Sequence, residues 1–240
     1  MKTAGTSVEE SFLRAGDSST VCAGAADVHG SDTYDSQNNI YPGPDGLELN
    51  YFRQHHWPEA VRNELAEPLP DFRHITCSRN PWDTLVSWYW YERAGWEINQ
   101  PPGSIDKGHL SETDTIELIQ HKFYNAVTLA SVVTGPRSAW IYDDLKIEPT
   151  TPLSALLYLS MVNSKFVDDE IDYYIRFERL SDDYQQLCWD LNIEYVPLKR
   201  RKTSHRRMKH LHYRDYYNDE LRDLVAELFS PVIEKFGYEF

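Results

Sequence analysis

Cysteine is scarce and poorly spaced for chemistry. The 240 residues contain three, Cys22, Cys77 and Cys188. The count is odd, no CxxC pair occurs, and no Cys/His spacing suits a zinc ion, so neither a disulfide framework nor a structural metal is indicated. A reducing cytoplasm is the compartment this usage suggests. Positive charge is short as well: 24 Lys and Arg against 38 Asp and Glu leave a net charge of −14. That balance argues against general binding to nucleic acid or to an anionic membrane surface, both of which want a basic face. No apolar run approaches the ~20 residues that span a bilayer, and no signal peptide precedes the first motif. GxSxG, HExxH, GxGxxG and GxxxxGK[ST] are all missing, as are internal repeats and low-complexity tracts.

Aromatic residues, in contrast, are plentiful, which usually means core and pocket walls. The densest stretch is His74 to Tyr91, HITCSRNPWDTLVSWYWY. Phe72 to Ser78 reads as a short buried strand. Trp82, Leu85, Val86 and Tyr89 then fall at i, i+3, i+4 and i+7, one helical stripe. Asn80 suits the N-cap, and Pro81 suits the first helical position, where no N–H is needed. Arg79 stands between strand and helix, and a cation beside free helix N–H groups makes an anion site. A buried crossover whose Arg79 pairs with a carboxylate is the plainer alternative.

The chain opens with MKTAGTSVEESFLRAG. Gly5 permits a tight turn, Thr6 and Ser7 can cap a helix, and Val8 and Phe12 begin its apolar face. Lys2, Thr3, Thr6 and Ser7 with exposed amides would cradle a phosphate. A phosphate loop is normally fed by a buried strand, and Met1 leaves no room for one; truncation at an internal methionine is the expectation.

Residues 17–50 are rich in Ser, Asp, Asn, Gly and Pro. Val21 to Ala25 reads as a short strand, and Asn38 to Asn50, with YPGPDG inside, as a surface loop. HHWPEAVRNEL opens a helix with Pro58 in its first turn. Ala94 to Gly108, which contains PPG, reads as a loop long enough for a lid or substrate wall. Ser111 to Asp114 resembles a capping box for a helix through Ile116, Ile119, Gln120 and Phe123. Ser138 to Tyr142 suits a strand or an extended loop, and Thr151 to Val162 an apolar helix. Asp172 to Phe177 is strand-like, with Ser181 capping the helix SDDYQQLCWDLNI. The last helix spans Asp219 to Phe236 and ends at Gly237, a suitable C-cap. Strands alternating with helices predict an α/β fold: one domain over residues 1–240, with a central parallel sheet flanked by helices.

Seven of the 24 Lys and Arg fall within residues 199–209. Three anion-friendly segments are therefore far apart in sequence: Lys2 to Ser7, Arg79 to Ser87, and Lys199 to Arg206. Two of them lie at strand-to-helix turns, which in a parallel α/β sheet share one edge, where ligands bind. One ligand with two separated phosphate groups would account for all three.

On these residues the chain resembles the sulfotransferases that use 3′-phosphoadenosine 5′-phosphosulfate (PAPS). KTAGTS looks like their 5′-phosphosulfate loop, in the form seen in carbohydrate sulfotransferases. SRNPWDTLVSWYW looks like their RNPxDxxxS 3′-phosphate motif. IRFERL with the helix after it, RKTSHR, HYRDYYNDEL and the closing FGYEF resemble the later parts of that family, so the likeness runs through nearly the whole chain. It implies a P-loop nucleotide-hydrolase-like sulfotransferase fold, with the first strand missing here.

The resemblance also implies roles. Lys2 would contact the bridging oxygen of the leaving phosphate. The loop Lys2, Thr3, Ala4, Gly5, Thr6 and Ser7 would bind the 5′-phosphate through amides and hydroxyls. Arg79 and Ser87 would hold the 3′-phosphate, and Lys202, Ser204 and Arg206 would close over the same nucleotide. His56 is the candidate general base, because HWPEAVRNEL resembles the helix-start histidine motif of the glycan enzymes. His55 is the near alternative, Glu59 and His29 more distant ones. The expected function is sulfuryl transfer from PAPS to a hydroxyl, with a glycan as favoured acceptor, adenosine 3′,5′-bisphosphate as product, and no metal. Two readings stand beside it: a P-loop-type phosphotransferase, and a non-catalytic, truncated nucleotide-binding relative.

Overall fold

The computed structural model describes residues 7–8, 11, 40–42, 48–50, 73, 75–99, 110–128, 156–157, 159–160, 167, 171–198 and 208–240, with backbone alone in 40–42, 48–50 and 92–99. These residues form a mixed α/β structure with four short strands and five α-helices. They divide into two compact units, Met1–Arg79 with Asp168–Lys202, and Asn80–Val167 with Thr203–Phe240. The expected strand at Val21 to Ala25, the helix after Pro58 and the segment Ser138 to Tyr142 lie outside the described residues.

In the first unit, strands β1 (Ile40–Pro42) and β2 (Glu48–Asn50) pair antiparallel, Tyr41 opposite Leu49. The surface loop expected over Asn38 to Asn50 is thus corrected at Ile40–Pro42 and Glu48–Asn50. Ile40, Tyr41 and Leu49 are of residue types that favour a pleated strand.

Strands β3 (Ile75–Ser78) and β4 (Tyr173–Arg176) pair in parallel, in the register Ile75↔Tyr173 through Ser78↔Arg176. After β4 a single 3-10 turn, Phe177–Arg179, leads into helix α3 (Leu180–Asp190). Ser181 is not its cap, because the chain is already turning when it reaches Leu180 and Arg179 takes the N-cap position. Asp183 fastens this corner instead: its carboxylate accepts from the Arg176 amide at 3.0 Å and from the Arg176 guanidinium at 2.8 and 2.9 Å. Ile175 from β4 packs with Tyr184, Leu187 and Cys188 from α3 and with Val8, while Ile75 and Cys77 of β3 lie against this cluster. Burying each such aliphatic side chain contributes about 1.5–3 kcal/mol.

In the second unit, helix α1 (Pro81–Asn99) buries Trp82, Leu85, Val86 and Tyr89, the stripe that the spacing predicts, and also Trp88 and Trp90. The helix continues through Ala94 to Asn99, so the loop expected over Ala94 to Gly108 is corrected for those residues, and the remainder lies outside the described residues. Gly95 costs a helix only about 1 kcal/mol relative to Ala, and the first strong breakers are Pro101 and Pro102. Helix α2 (Ile116–Thr128) buries Ile119, Phe123, Ala126 and Val127. Its cap is Thr115, whose hydroxyl accepts from the Leu118 amide at 3.3 Å. The expected capping box instead closes a turn just before it, the Ser111 amide donating to Asp114 Oδ2 at 2.8 Å. Leu156 and Leu159, helical as expected within Thr151 to Val162, are buried.

The final helix is two helices, α4 (Asp219–Leu228) and α5 (Ser230–Phe236), with Phe229 between them. Pro231 has no N–H to continue the ladder, so one uninterrupted helix over Asp219 to Phe236 is ruled out. Gly237 ends α5 at φ 64°, ψ 36°, the left-handed C-terminal position that glycine adopts without a steric penalty. Aromatic side chains fill the core between these elements. Phe123 meets Tyr89 and Tyr216 edge-on, both at 5.4 Å between ring centroids. The Trp90 indole N–H donates to the Tyr216 hydroxyl at 3.3 Å.

Candidate functional site

Three of the candidate site residues lie among the described ones: Ser7, Arg79 and Ser87. Lys2, Thr3, Ala4, Gly5, Thr6, His56, Lys202, Ser204 and Arg206 lie outside them, as do His29, His55 and Glu59.

Ser7 is helical and buried, and so is Val8 beside it, which belongs to the core cluster of the first unit. Arg79 follows β3 directly, two residues after Cys77, which packs against that same cluster. Val8 and the strand that leads to Arg79 therefore share one core, although they are far apart in sequence. Ser11, one helical turn beyond Ser7, is also buried. Burial, the Cys188 thiol and the Tyr195 ring push the Tyr184 phenol well above its ordinary value, so it stays protonated.

Arg79 is 9 % exposed. Its guanidinium carbon lies 4.0 Å from the centroid of the Phe177 ring. The pairing follows from the strand register. Ser78 stands opposite Arg176, so the next residue of each parallel strand is Arg79 on one and Phe177 on the other. Both leave the carboxyl edge of the sheet, where open α/β folds bind ligands. Phe177 was not among the sequence candidates. The signal that finds it is the alignment of the two strand ends, which needs the pairing to be known.

Other described arginines of this unit sit against carboxylates. At the opposite, amino end of the strands Arg73 pairs with Asp172 at 3.0 Å. Arg176 holds Asp183 at 2.8 Å, and Arg179 lies 3.9 Å from Asp183 and 4.0 Å from Asp182. Partial burial by itself raises the Asp183 carboxyl, but the hydrogen bonds from Arg176 and the charges of Arg176 and Arg179 outweigh it, and the group titrates below its ordinary value. An open recess of about 420 Å³ lies over α3, lined by Arg176, Arg179, Asp182, Gln185, Gln186 and Trp189 among others. Its charges largely neutralise one another, so it is a poor anion site.

In the second unit, Asn80 caps α1 as the sequence predicts. Its Oδ1 accepts from the amides of Trp82 at 3.1 Å and Asp83 at 3.3 Å. Ser87 lies two turns into α1, half-buried. The Tyr217 hydroxyl donates to the Trp82 carbonyl at 2.8 Å, and complete burial raises its phenol far above the ordinary range.

Among the described residues no group of three or more His, Cys, Asp or Glu is placed to hold a metal ion, and no helix is long and apolar enough to cross a membrane. Comparison with known proteins finds no matching family model, no matching curated protein and no matching solved structure.

Proposed function

We propose that this chain is a PAPS-dependent O-sulfotransferase acting on a hydroxyl of a carbohydrate. The observation that carries the reading is Arg79 of the RNPWDTLVS motif, buried at the carboxyl end of a parallel strand whose core also includes Val8, the residue after KTAGTS. The motif pair at Lys2–Ser7 and Arg79–Ser87 supports it from the sequence side.

In this reading the amides and hydroxyls of Gly5, Thr6 and Ser7 bind the 5′-phosphate. Arg79 and Ser87 take the 3′-phosphate, and Lys202, Ser204 and Arg206 cover the nucleotide. The acceptor oxygen attacks sulfur while the bond from sulfur to the bridging oxygen breaks. Lys2 stabilises the charge that develops on that oxygen, and His56 takes the acceptor's proton. Adenosine 3′,5′-bisphosphate leaves. Such a transfer depends on in-line positioning and charge stabilisation more than on covalent participation of the protein. Removing one donor of that kind typically costs about 10²–10³ in rate.

The test is equilibrium binding of adenosine 3′,5′-bisphosphate and of AMP to the full chain, followed by incubation with sulfur-labelled PAPS and a panel of saccharides, phenols and sterols. Tighter binding of the bisphosphate and label on a saccharide hydroxyl are expected. Equal affinities, with no label transferred, overturn the reading; label on a phenol or sterol alone overturns the choice of acceptor.

A further inference from the structure

We infer that the open recess over helix α3 is a binding site for a neutral sugar ring, with the Trp189 indole as the platform beneath it. The site goes beyond the functional reading above and does not rest on it, because none of its residues is assigned to the nucleotide.

Helix α3 has two faces. Tyr184, Leu187 and Cys188 are buried in the core of the first unit, while Asp182, Gln185, Gln186 and Trp189, at i, i+3, i+4 and i+7, form one exposed stripe. Three of these four are polar, as suits a face turned to water. Trp189 is the exception and is 72 % exposed. An indole left in water forgoes the stabilisation that burial gives, and tryptophan is well buried on average. One exposed apolar side chain needs no explanation by itself. This one, however, lines a recess of about 420 Å³, within the ~300–1,000 Å³ of small-ligand pockets.

The remaining lining groups suit hydroxyls. Two arginines, Arg176 and Arg179, and two aspartates, Asp182 and Asp183, balance one another, so the recess favours a neutral ligand. Arg179 and Asp182 lie 4.0 Å apart with side chains 57 % and 73 % exposed, a loose pair that an incoming hydroxyl opens at little cost. Among the described residues neither the Gln185 amide nor the Trp189 indole N–H makes a hydrogen bond. A sugar hydroxyl both donates and accepts, and amide, carboxylate and guanidinium together offer both roles. The C–H face of a pyranose packs on the electron-rich indole face, while its hydroxyls radiate toward those polar groups. A protein partner would want an apolar, charge-depleted centre, and Trp189 is the one apolar side chain lining this recess among the described residues.

The test titrates the isotope-labelled full chain with methyl β-D-glucopyranoside, methyl β-D-galactopyranoside and N-acetylglucosamine in turn. It follows the indole N–H resonance of Trp189, assigned by its loss in Trp189→Phe. At least one sugar should shift that resonance saturably, with a dissociation constant on the order of 1 mM, as fits one small ring on an open platform. Sorbitol, which has the hydroxyls but no ring face, should not. Trp189→Ala should weaken binding of that sugar about three- to tenfold, read from ligand-observed NMR, and Trp189→Tyr should keep most of it. Circular dichroism confirms that each variant is folded. The inference is overturned if no sugar gives a saturable shift up to about 50 mM, or if sorbitol acts as the sugars do. Unchanged sugar binding in folded Trp189→Ala overturns it too. A Trp189 signal that moves with protein concentration and with no sugar assigns the indole to a protein contact and has the same consequence. Failure of the chain to bind adenosine 3′,5′-bisphosphate overturns the functional reading and leaves this inference standing.

Discussion

Asn80 donates a hydrogen bond from its side-chain amide to the backbone carbonyl of Glu239 at 3.0 Å. The same side chain accepts from the amides of Trp82 and Asp83 through its oxygen. One residue thus starts helix α1 and secures the C-terminal segment of the chain. That attachment positions Phe240, whose ring meets Trp82 and Tyr217 edge-on, both at 5.5 Å. The asparagine of the RNPWD stretch therefore has a structural task independent of any ligand.

Asn80→Ala should destabilise the protein by about 2 kcal/mol, roughly half from the lost cap and half from the orphaned carbonyl. Asn80→Asp keeps the acceptor that caps α1 but cannot donate to Glu239. Its urea midpoint should fall between those of the wild type and Asn80→Ala. A midpoint for Asn80→Asp equal to wild type would mean that the bond to Glu239 contributes nothing.

Thr84, also in α1, is 1 % exposed, and its hydroxyl makes no hydrogen bond among the described residues. A buried hydroxyl without a partner loses its hydration for no return. Thr84→Val has nearly the same shape and removes that cost, so it should stabilise the protein by about 1 kcal/mol in urea unfolding. Destabilisation on this substitution would show that the hydroxyl has a partner after all.

The Asp183 corner sets an acid limit. The folded carboxyl titrates below its usual value near 3.8, so the folded protein holds the proton less tightly than the unfolded chain. Its contribution to stability is complete above that value and is lost as pH falls through the lower, folded one. Asp183→Asn removes the charge but keeps an acceptor. At neutral pH it should cost about 1 kcal/mol, a figure discounted because the Arg176 side chain is 37 % exposed. Thermal unfolding between pH 7 and pH 3 checks this: the wild-type and Asp183→Asn curves should converge below about pH 4. Parallel curves over that range would remove Asp183 as the group responsible.

Local chemistry is what the sequence made legible. Asn80 and Pro81 mark the start of α1 because capping and the missing proline N–H act within one turn. The β-branched and aromatic run Tyr173–Arg176 announces β4, and Gly237 announces the end of α5. Boundaries failed where two neighbouring signals competed. Thr115 and Ser111 both offer a hydroxyl, and the one adjacent to Ile116 caps the helix. Pro231 splits what periodicity alone reads as one helix. In the site, Arg79 was legible because a cation between strand and helix is a local pattern. Phe177, about a hundred residues later, becomes its neighbour only through parallel strand pairing, which no window along the chain reveals.

Arg79 itself separates the nucleotide reading from a purely architectural one. A buried arginine at the end of β3 contributes to stability in either case, so loss of stability on Arg79→Ala decides nothing. The ligand ratio decides. A charged, hydrogen-bonded phosphate contact contributes about 1.5–3 kcal/mol, so Arg79→Ala should weaken binding of adenosine 3′,5′-bisphosphate roughly 10- to 100-fold and leave AMP nearly unaffected. Arg79→Lys keeps the charge but not the planar fork, and should recover only part of that loss. Isothermal titration of folded variants with both nucleotides measures this. If Arg79→Ala binds the two nucleotides in the wild-type ratio, Arg79 is a core cation and the 3′-phosphate must be read by other residues.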